Sequence, residues 1–243
     1  MAVWFGWRSI FWLIASVALL VIIAITIKIP ETLAKQNRQR FNIRSVMSNY
    51  HSIFFSRDAM LLMLTGGFSF AGMFAFLTAG SFVYIELHGV STERVGFLFA
   101  LNVLSMMVMT TLNGRIVRRQ GSRWMLKMGL SIQLLGATLL LLGQIFDLGL
   151  WAVVIPVMMF ISAISTVGSN TMAILLNEYG TIAGTASSLS GTLRFGLGAC
   201  CAAIISFSPA TTSWPMVTVI CGCAVMSSLC FVLRTAFKTK PLS

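Results

Sequence analysis

The feature that most constrains this chain is a row of seven continuously apolar runs, near residues 9–27, 59–85, 95–112, 128–146, 151–175, 184–206 and 214–233. A helix needs about 20 apolar residues to cross the hydrocarbon core of a bilayer, and each run is of that order. Barrel strands would alternate apolar and polar residues over about ten positions; these runs are longer and unbroken. Composition agrees. Charged residues make up 9% of the 243 positions and apolar ones 57%, whereas soluble domains carry about 25% charge. So few charges could not cover a water-facing surface. The fold class is all-α integral membrane, with seven spans.

The net charge of +11 would point to nucleic acid in a soluble protein. Here most cations sit in short stretches between apolar runs, so nucleic acid is not an expected partner; the lipid bilayer is. The stretch after the first run holds Lys28, Lys35, Arg38, Arg40, Arg44 and Arg57, and the connection after the third holds Arg115, Arg118, Arg119, Arg123 and Lys127. With Arg234, Lys238 and Lys240 of the tail, fourteen of the seventeen basic residues share one side. Lys and Arg collect in cytoplasmic loops, which predicts a cytoplasmic carboxy terminus. The five cysteines (Cys200, Cys201, Cys221, Cys223 and Cys230) lie inside apolar segments without a CxxC pair. They read as buried free thiols rather than metal ligands or disulfides.

Seven spans with that orientation place the amino terminus outside. Its opening, MAVWFGWRSIFW, suits that poorly, because Arg8 stands just before the first run. A signal peptide would have a short apolar region and a small-residue cleavage site; here the run ends at Lys28 and Pro30. The obvious boundary is the connection 29–57, giving expected units 1–28, 29–57 and 58–243. Pro30 suits a helix start, so PETLAKQNRQR reads either as a surface helix facing anionic headgroups or as a plain topogenic loop.

Between the third and fourth runs, Gly114-Arg115-Ile116-Val117-Arg118-Arg119-Gln120-Gly121-Ser122-Arg123 resembles the G-x-L-x-D-R-x-G-R-[KR] loop signature of the major facilitator superfamily. Both glycines, Arg119 and Arg123 match, while Arg118 replaces the acid. Gly114 and Gly121 would permit a tight turn and close backbone approach, and the arginines could reach carbonyl ends of neighbouring helices. Gly6-Trp7-Arg8 before IFW and Pro30-Glu31-Thr32-Leu33 resemble the start and end of the sixth helix in drug-exporting members. Residues 68–86 (FSFAGMFAFLTAGSFVYIE) and 183–199 (AGTASSLSGTLRFGLGA) are similar to the Bcr/CflA group of drug:proton antiporters. The resemblance implies a twelve-helix, two-bundle transporter of which this chain carries helices 6–12, with Met1 an internal methionine and the first five helices supplied elsewhere. The first of those would bring the proton-coupling acid.

The resemblance further implies that runs 59–85, 95–112, 151–175 and 184–206 line a central substrate cavity. The residues give independent support. Ser162, Ser165, Thr166, Ser169 and Ala173 recur at helical spacing with Asn170 alongside, and Ser187, Ser190, Gly191, Arg194, Gly198 and Cys201 form one stripe. Small residues allow close helix packing and small polar ones can line water, so packing and cavity readings both remain. Arg194 stands mid-span, where insertion costs about 2.5–3.5 kcal/mol. It would bond a substrate group or the coupling acid of the absent half, or else form a fixed bridge to helix carbonyls. Phe70, Met73, Phe74 and Phe76 would either bind apolar drugs or face lipid, and Asn102 is a further cavity candidate. Asp58, Glu86, Glu93, Asp147 and Glu178 stand at span ends, so the chain shows no mid-membrane proton carrier of its own.

Other classes fit less well. A retinal protein needs a lysine in its last helix, and 214–233 has none. A seven-helix receptor shares the topology but not the loop signature. An intramembrane hydrolase needs a nucleophile with a base partner, yet His51 and His88 lie outside the runs; the chain is not expected to be an enzyme. The expectation is an inner-membrane multidrug efflux protein, exporting small antibiotics of the bicyclomycin type against protons. It would use the proton gradient and no cofactor, and would not transport without its amino-terminal half. An inert truncated product, or one part of a split transporter, is the alternative.

Overall fold

The computed structural model describes residues 6, 8–28, 43–208 and 211–238. Among these, seven helices are long and apolar enough to cross a membrane, one on each expected run. We label α1 Arg8–Lys28, α2 Ile43–Phe55 and α3 Arg57–Phe82, the last prolonged by a π-helical turn Val83–Leu87. Then follow α4 Thr92–Gln120, α5 Ser122–Ile145, α6 Trp151–Glu178, α7 Ala183–Ser206 and α8 Trp214–Lys238. All but α2 are membrane-length. The helices overrun the apolar runs where charge begins. Expected over 95–112, α4 continues to Gln120 because Arg115, Arg118, Arg119 and Gln120 are good helix formers that hydropathy alone excludes. PETLAKQNRQR lies outside the described residues, while α2 occupies the later part of the expected connection.

The chain divides into two compact units, Met1–Ile43 and Arg44–Ser243. In the first, α1 is apolar on every side and buries none of its residues within the protein, as befits a helix whose solvent is lipid.

The second unit is a bundle of six membrane-length helices. Helix α3 is central, packing against α6, α7 and α8, while α5 packs chiefly on α6. The α5–α6 seam follows from three glycines spaced by seven, Gly129, Gly136 and Gly143. A Cβ on Gly136 would stand 2.9 Å from the Pro156 carbonyl, and one on Gly143 would stand 2.7 Å from that of Ala152. Only glycine lets the two backbones approach so closely. Some polar groups inside the bundle cross-link its helices: Gln133 Nε2 donates to Ser69 Oγ (2.8 Å), joining α5 to α3. Ser227 Oγ donates to the Thr65 carbonyl (2.6 Å), joining α8 to α3. In lipid an unmade bond is costly.

All five cysteines are free, but they are not uniformly buried. Cys201, Cys223 and Cys230 are, Cys221 is half-buried, and Cys200 is exposed, because it occupies the outward side of α7 next to the inward-facing Cys201.

Candidate functional site

Residues 168–171 of α6 form the point where three helices exchange polar contacts. Asn170 is 2% exposed; its Nδ2 donates to Asn113 Oδ1 at 2.7 Å and to the Thr166 carbonyl at 2.8 Å. Asn113, on α4, in turn donates through Nδ2 to Ser169 Oγ at 3.2 Å. On the other flank, Arg194 of α7 sends Nη2 to the Gly168 carbonyl (3.0 Å) and to Thr171 Oγ1 (3.3 Å). Gly66 of α3 makes room for this arrangement, since a Cβ there would stand 2.8 Å from Thr171 Oγ1 and 3.2 Å from Arg194 Nη2.

The electrostatics of this cluster are unusual. Among the described residues Arg194 has no ion pair; its acceptors are a neutral carbonyl and a neutral hydroxyl. Its Nε–H is sealed from solvent and has no acceptor there. The fixed bridge to a helix carbonyl, one of the two roles open from the sequence, is thus present geometrically. It uses one of the guanidinium's nitrogens and leaves the positive charge uncompensated by any described acid.

The remaining candidates fall into two groups. Ser165 is half-buried and bonds back to the Ser162 carbonyl (3.2 Å), one turn from the cluster. Ser169 is exposed and belongs to it directly. Ser187 is half-buried with its Oγ 3.9 Å from Met172 Sδ, and Ser190 is buried; both share the α7 face with Arg194. Phe70 and Phe74 meet Phe195 edge-on, with centroids 5.5 and 6.3 Å away, beside a half-buried Met73. Phe195, 62% exposed, went unnoticed in the sequence because a single Phe in an apolar run carries no signal.

Two candidates stand apart from the cluster. Asn102 is 4% exposed, and its Nδ2 turns back to the Leu98 carbonyl of its own helix (3.3 Å). Phe76 is 1% exposed and packs on Tyr84 and Phe99, so it is a core side chain, neither lipid-facing nor open to a cleft. The reason is its position on α3, where it points into the seam with the π-helical turn.

The loop signature resolves into separate jobs. Gly121 has φ +80° and is the whole connection between α4 and α5, a conformation that favours glycine. Gly114, in contrast, lies within α4 with open space around its Cα; it makes neither a turn nor a close approach. Arg115, Arg118 and Arg119 are exposed. Arg123 is the signature residue that reaches another helix, and it meets a carboxylate rather than a carbonyl: Glu178 Oε1 lies 3.8 Å away. Glu178 also binds Arg234, whose Nη2 lies 2.7 Å from Oε2, while Arg234 Nε lies 3.0 Å from Asp58 Oδ1. Two acids and two arginines thereby tie the ends of α3, α5, α6 and α8.

The sequence matches the Major Facilitator Superfamily over residues 1–203, and the chain belongs to that family of multi-pass membrane proteins. Within it, the chain is 35% identical over 97% of its length to a bicyclomycin resistance protein homolog of Haemophilus influenzae, covering 59% of that protein. It is 27% identical over 93% of its length to the uncharacterized MFS-type transporter YdgK of Bacillus subtilis, covering 56% of it. A chloramphenicol resistance protein of Pseudomonas aeruginosa is 28% identical over 65% of this chain and is covered to 40%. The chain thus spans less than two thirds of each of these relatives.

Proposed function

We propose that this chain is the carboxy-terminal part of an inner-membrane multidrug efflux transporter that exports bicyclomycin-like antibiotics and other xenobiotics by proton antiport. In this reading α1 is the last helix of one bundle, residues 29–57 link the bundles, and residues 58–243 form the second bundle with its carboxy terminus in the cytoplasm. The basic loops support that orientation, and the resistance roles for which two relatives are named support drug resistance as the physiological outcome.

The observation that carries the reading is the Arg194 cluster. Transporter sites lie near the bilayer midplane between repeat-related halves, where polar groups face one another. Arg194, at the middle of its span, and Asn113, Ser169 and Asn170 present donors and acceptors on three helices, and an ionisable residue within a span marks a substrate or ion pathway. Phe70, Phe74 and Phe195 add an aromatic surface suited to apolar drugs.

The test is drug accumulation in cells lacking their own exporters. The chain produced together with a five-helix amino-terminal segment of a related transporter should lower intracellular bicyclomycin, and collapse of the proton gradient should abolish the difference. The chain alone should leave accumulation unchanged. Export by the chain alone would remove the need for a second bundle; no export in the complemented cells would sink the efflux assignment.

A further inference from the structure

Arg194 carries a positive charge into the span of α7, and the acids of the chain do not reach it. Six acidic residues are present. Asp58 and Glu178 both bind Arg234. At 1.5 Å rise per residue, Asp58 stands about 12 Å along α3 from Gly66, and Glu178 about 10 Å along α6 from Thr171. Gly66 and Thr171 are the residues that lie against the guanidinium. Glu86 is about 30 Å beyond Gly66 on the same rise, Glu93 opens α4, and Asp147 follows the end of α5. Glu31 lies outside the described residues.

The guanidinium is only partly used. Nη2 serves the Gly168 carbonyl and Thr171 Oγ1, and Nε is sealed without an acceptor. Nη1 is not sealed and donates to nothing among the described residues. A cation in a low-dielectric setting attracts an anion more strongly than it does in water, and a carboxylate is the planar acceptor that suits a guanidinium.

The surface beside this donor sets the rest of the ligand. Gly66, Phe70 and Phe74 follow at helical spacing and share one face of α3. That face meets α7 at two levels: Gly66 lies against Arg194, and a Cβ on Gly198 would stand 2.7 Å from the Phe74 ring. Phe195 meets both Phe70 and Phe74 edge-on. Phe70 stands one turn, about 6 Å, along α3 from Gly66. Aromatic surface therefore begins within the length of one small molecule from Nη1.

We infer that the groove between α3 and α7 binds aromatic carboxylates, with the carboxylate on Arg194 Nη1 and the ring against Phe70, Phe74 and Phe195. The inference rests on the reading of the Arg194 cluster as a substrate site, and adds to it a substrate class: acidic aromatic molecules in preference to cationic ones of the same shape.

The test uses two photoreactive probes of matched shape and opposite charge, para-benzoylbenzoate and para-benzoylbenzylammonium. The full chain is held in phosphatidylcholine nanodiscs, whose lipid carries no net charge. On illumination the carboxylate should label residues 66–74 and 191–198 about tenfold more than the ammonium does, the ratio that one hydrogen bond to a charged group sustains. Excess naphthoate should displace that labelling, and naphthylmethylammonium should not. Arg194→Gln should bring the two probes to equal labelling, while Arg194→Lys, which keeps the charge, should still favour the carboxylate. The competition needs only the wild-type chain, so it decides the matter even where Arg194→Gln fails to fold. Equal labelling of the wild-type chain by both probes, adducts that naphthoate does not displace, or a preference unchanged in folded Arg194→Gln would each overturn the inference. So would loss of carboxylate labelling when the five-helix amino-terminal segment is supplied, because an acid of that polypeptide would then hold Arg194. None of these readouts uses export. Failure here with bicyclomycin still exported removes the substrate class alone, and failed export with this labelling intact removes the transport reading alone.

Discussion

Arg194 and Arg234 are both drawn into the second unit, and they are satisfied in opposite ways. Arg234, 3% exposed, is held by two carboxylates at the end of the bundle that carries the basic loops. Arg194, halfway along α7, is held by a carbonyl and a hydroxyl. A buried charge with matched partners is a structural element, because removing either side leaves the other desolvated. A charge placed in the membrane against neutral acceptors keeps its field available to whatever enters beside it. Under the proposed transport function, the contrast separates the part of the bundle that must hold still from the part that would meet a substrate.

The sharpest way to break this contrast is Arg234→Ala. It removes the arginine that Asp58 and Glu178 share, acids that are 28% and 20% exposed, so we expect a loss of about 3 kcal/mol, the low end for one partner of a buried pair. Thermal unfolding of the purified protein should register it, and an unchanged transition would show that the clamp is dispensable. Next, Gly66→Val should cost about 1–3 kcal/mol by overpacking, and should displace Arg194 from Gly168. Hydrogen exchange of the α6 and α7 amides would reveal whether the slot opens. A smaller loss, about 1 kcal/mol, is expected for Asn113→Ala, since interhelical hydrogen bonds in membranes average below that and reach about 1.7. A double-mutant cycle with Asn170→Ala should give a coupling of similar size; additive losses would mean the two amides are not linked. Arg123→Gln should matter least. At 69% exposure and 3.8 Å its pair is worth about 0.5 kcal/mol or less, and a loss comparable to that of Arg234→Ala would merge the two arginines into one clamp.

Much of the fold was legible because lipid enforces it. Seven apolar runs leave few options, and Arg194 announced itself as the costly residue in its span. What escaped notice was set by pairing across helices. Asn113 fell one residue past an apolar run that ended at 112, although α4 continues to Gln120. Gly66, Gly168 and Thr171 are ordinary residues whose role exists only because Arg194 lies against them. Gln133, fully buried between Leu130 and Leu134, did carry a signal, since a polar side chain mid-span asks for a partner; Ser69 is that partner. Arg234 counted as one more cation of the tail, and its burial depends on acids 176 and 56 residues away in sequence. The signature glycines show the limit of motif reading: identical letters, with a positive φ at Gly121 and a plain helical place at Gly114.

The most direct test of the central claim sets Arg194→Lys against wild type in the complemented export assay, scored per folded molecule and alongside thermal unfolding. Lysine keeps the charge but not the planar guanidinium, whose Nη2 reaches Gly168 and Thr171 while its other nitrogens could meet a further acceptor. The account predicts drug export falling about tenfold or more while the unfolding temperature moves little. A protein that unfolds far more easily yet exports normally per folded molecule would contradict it, and would make Arg194 a structural bridge like Arg234.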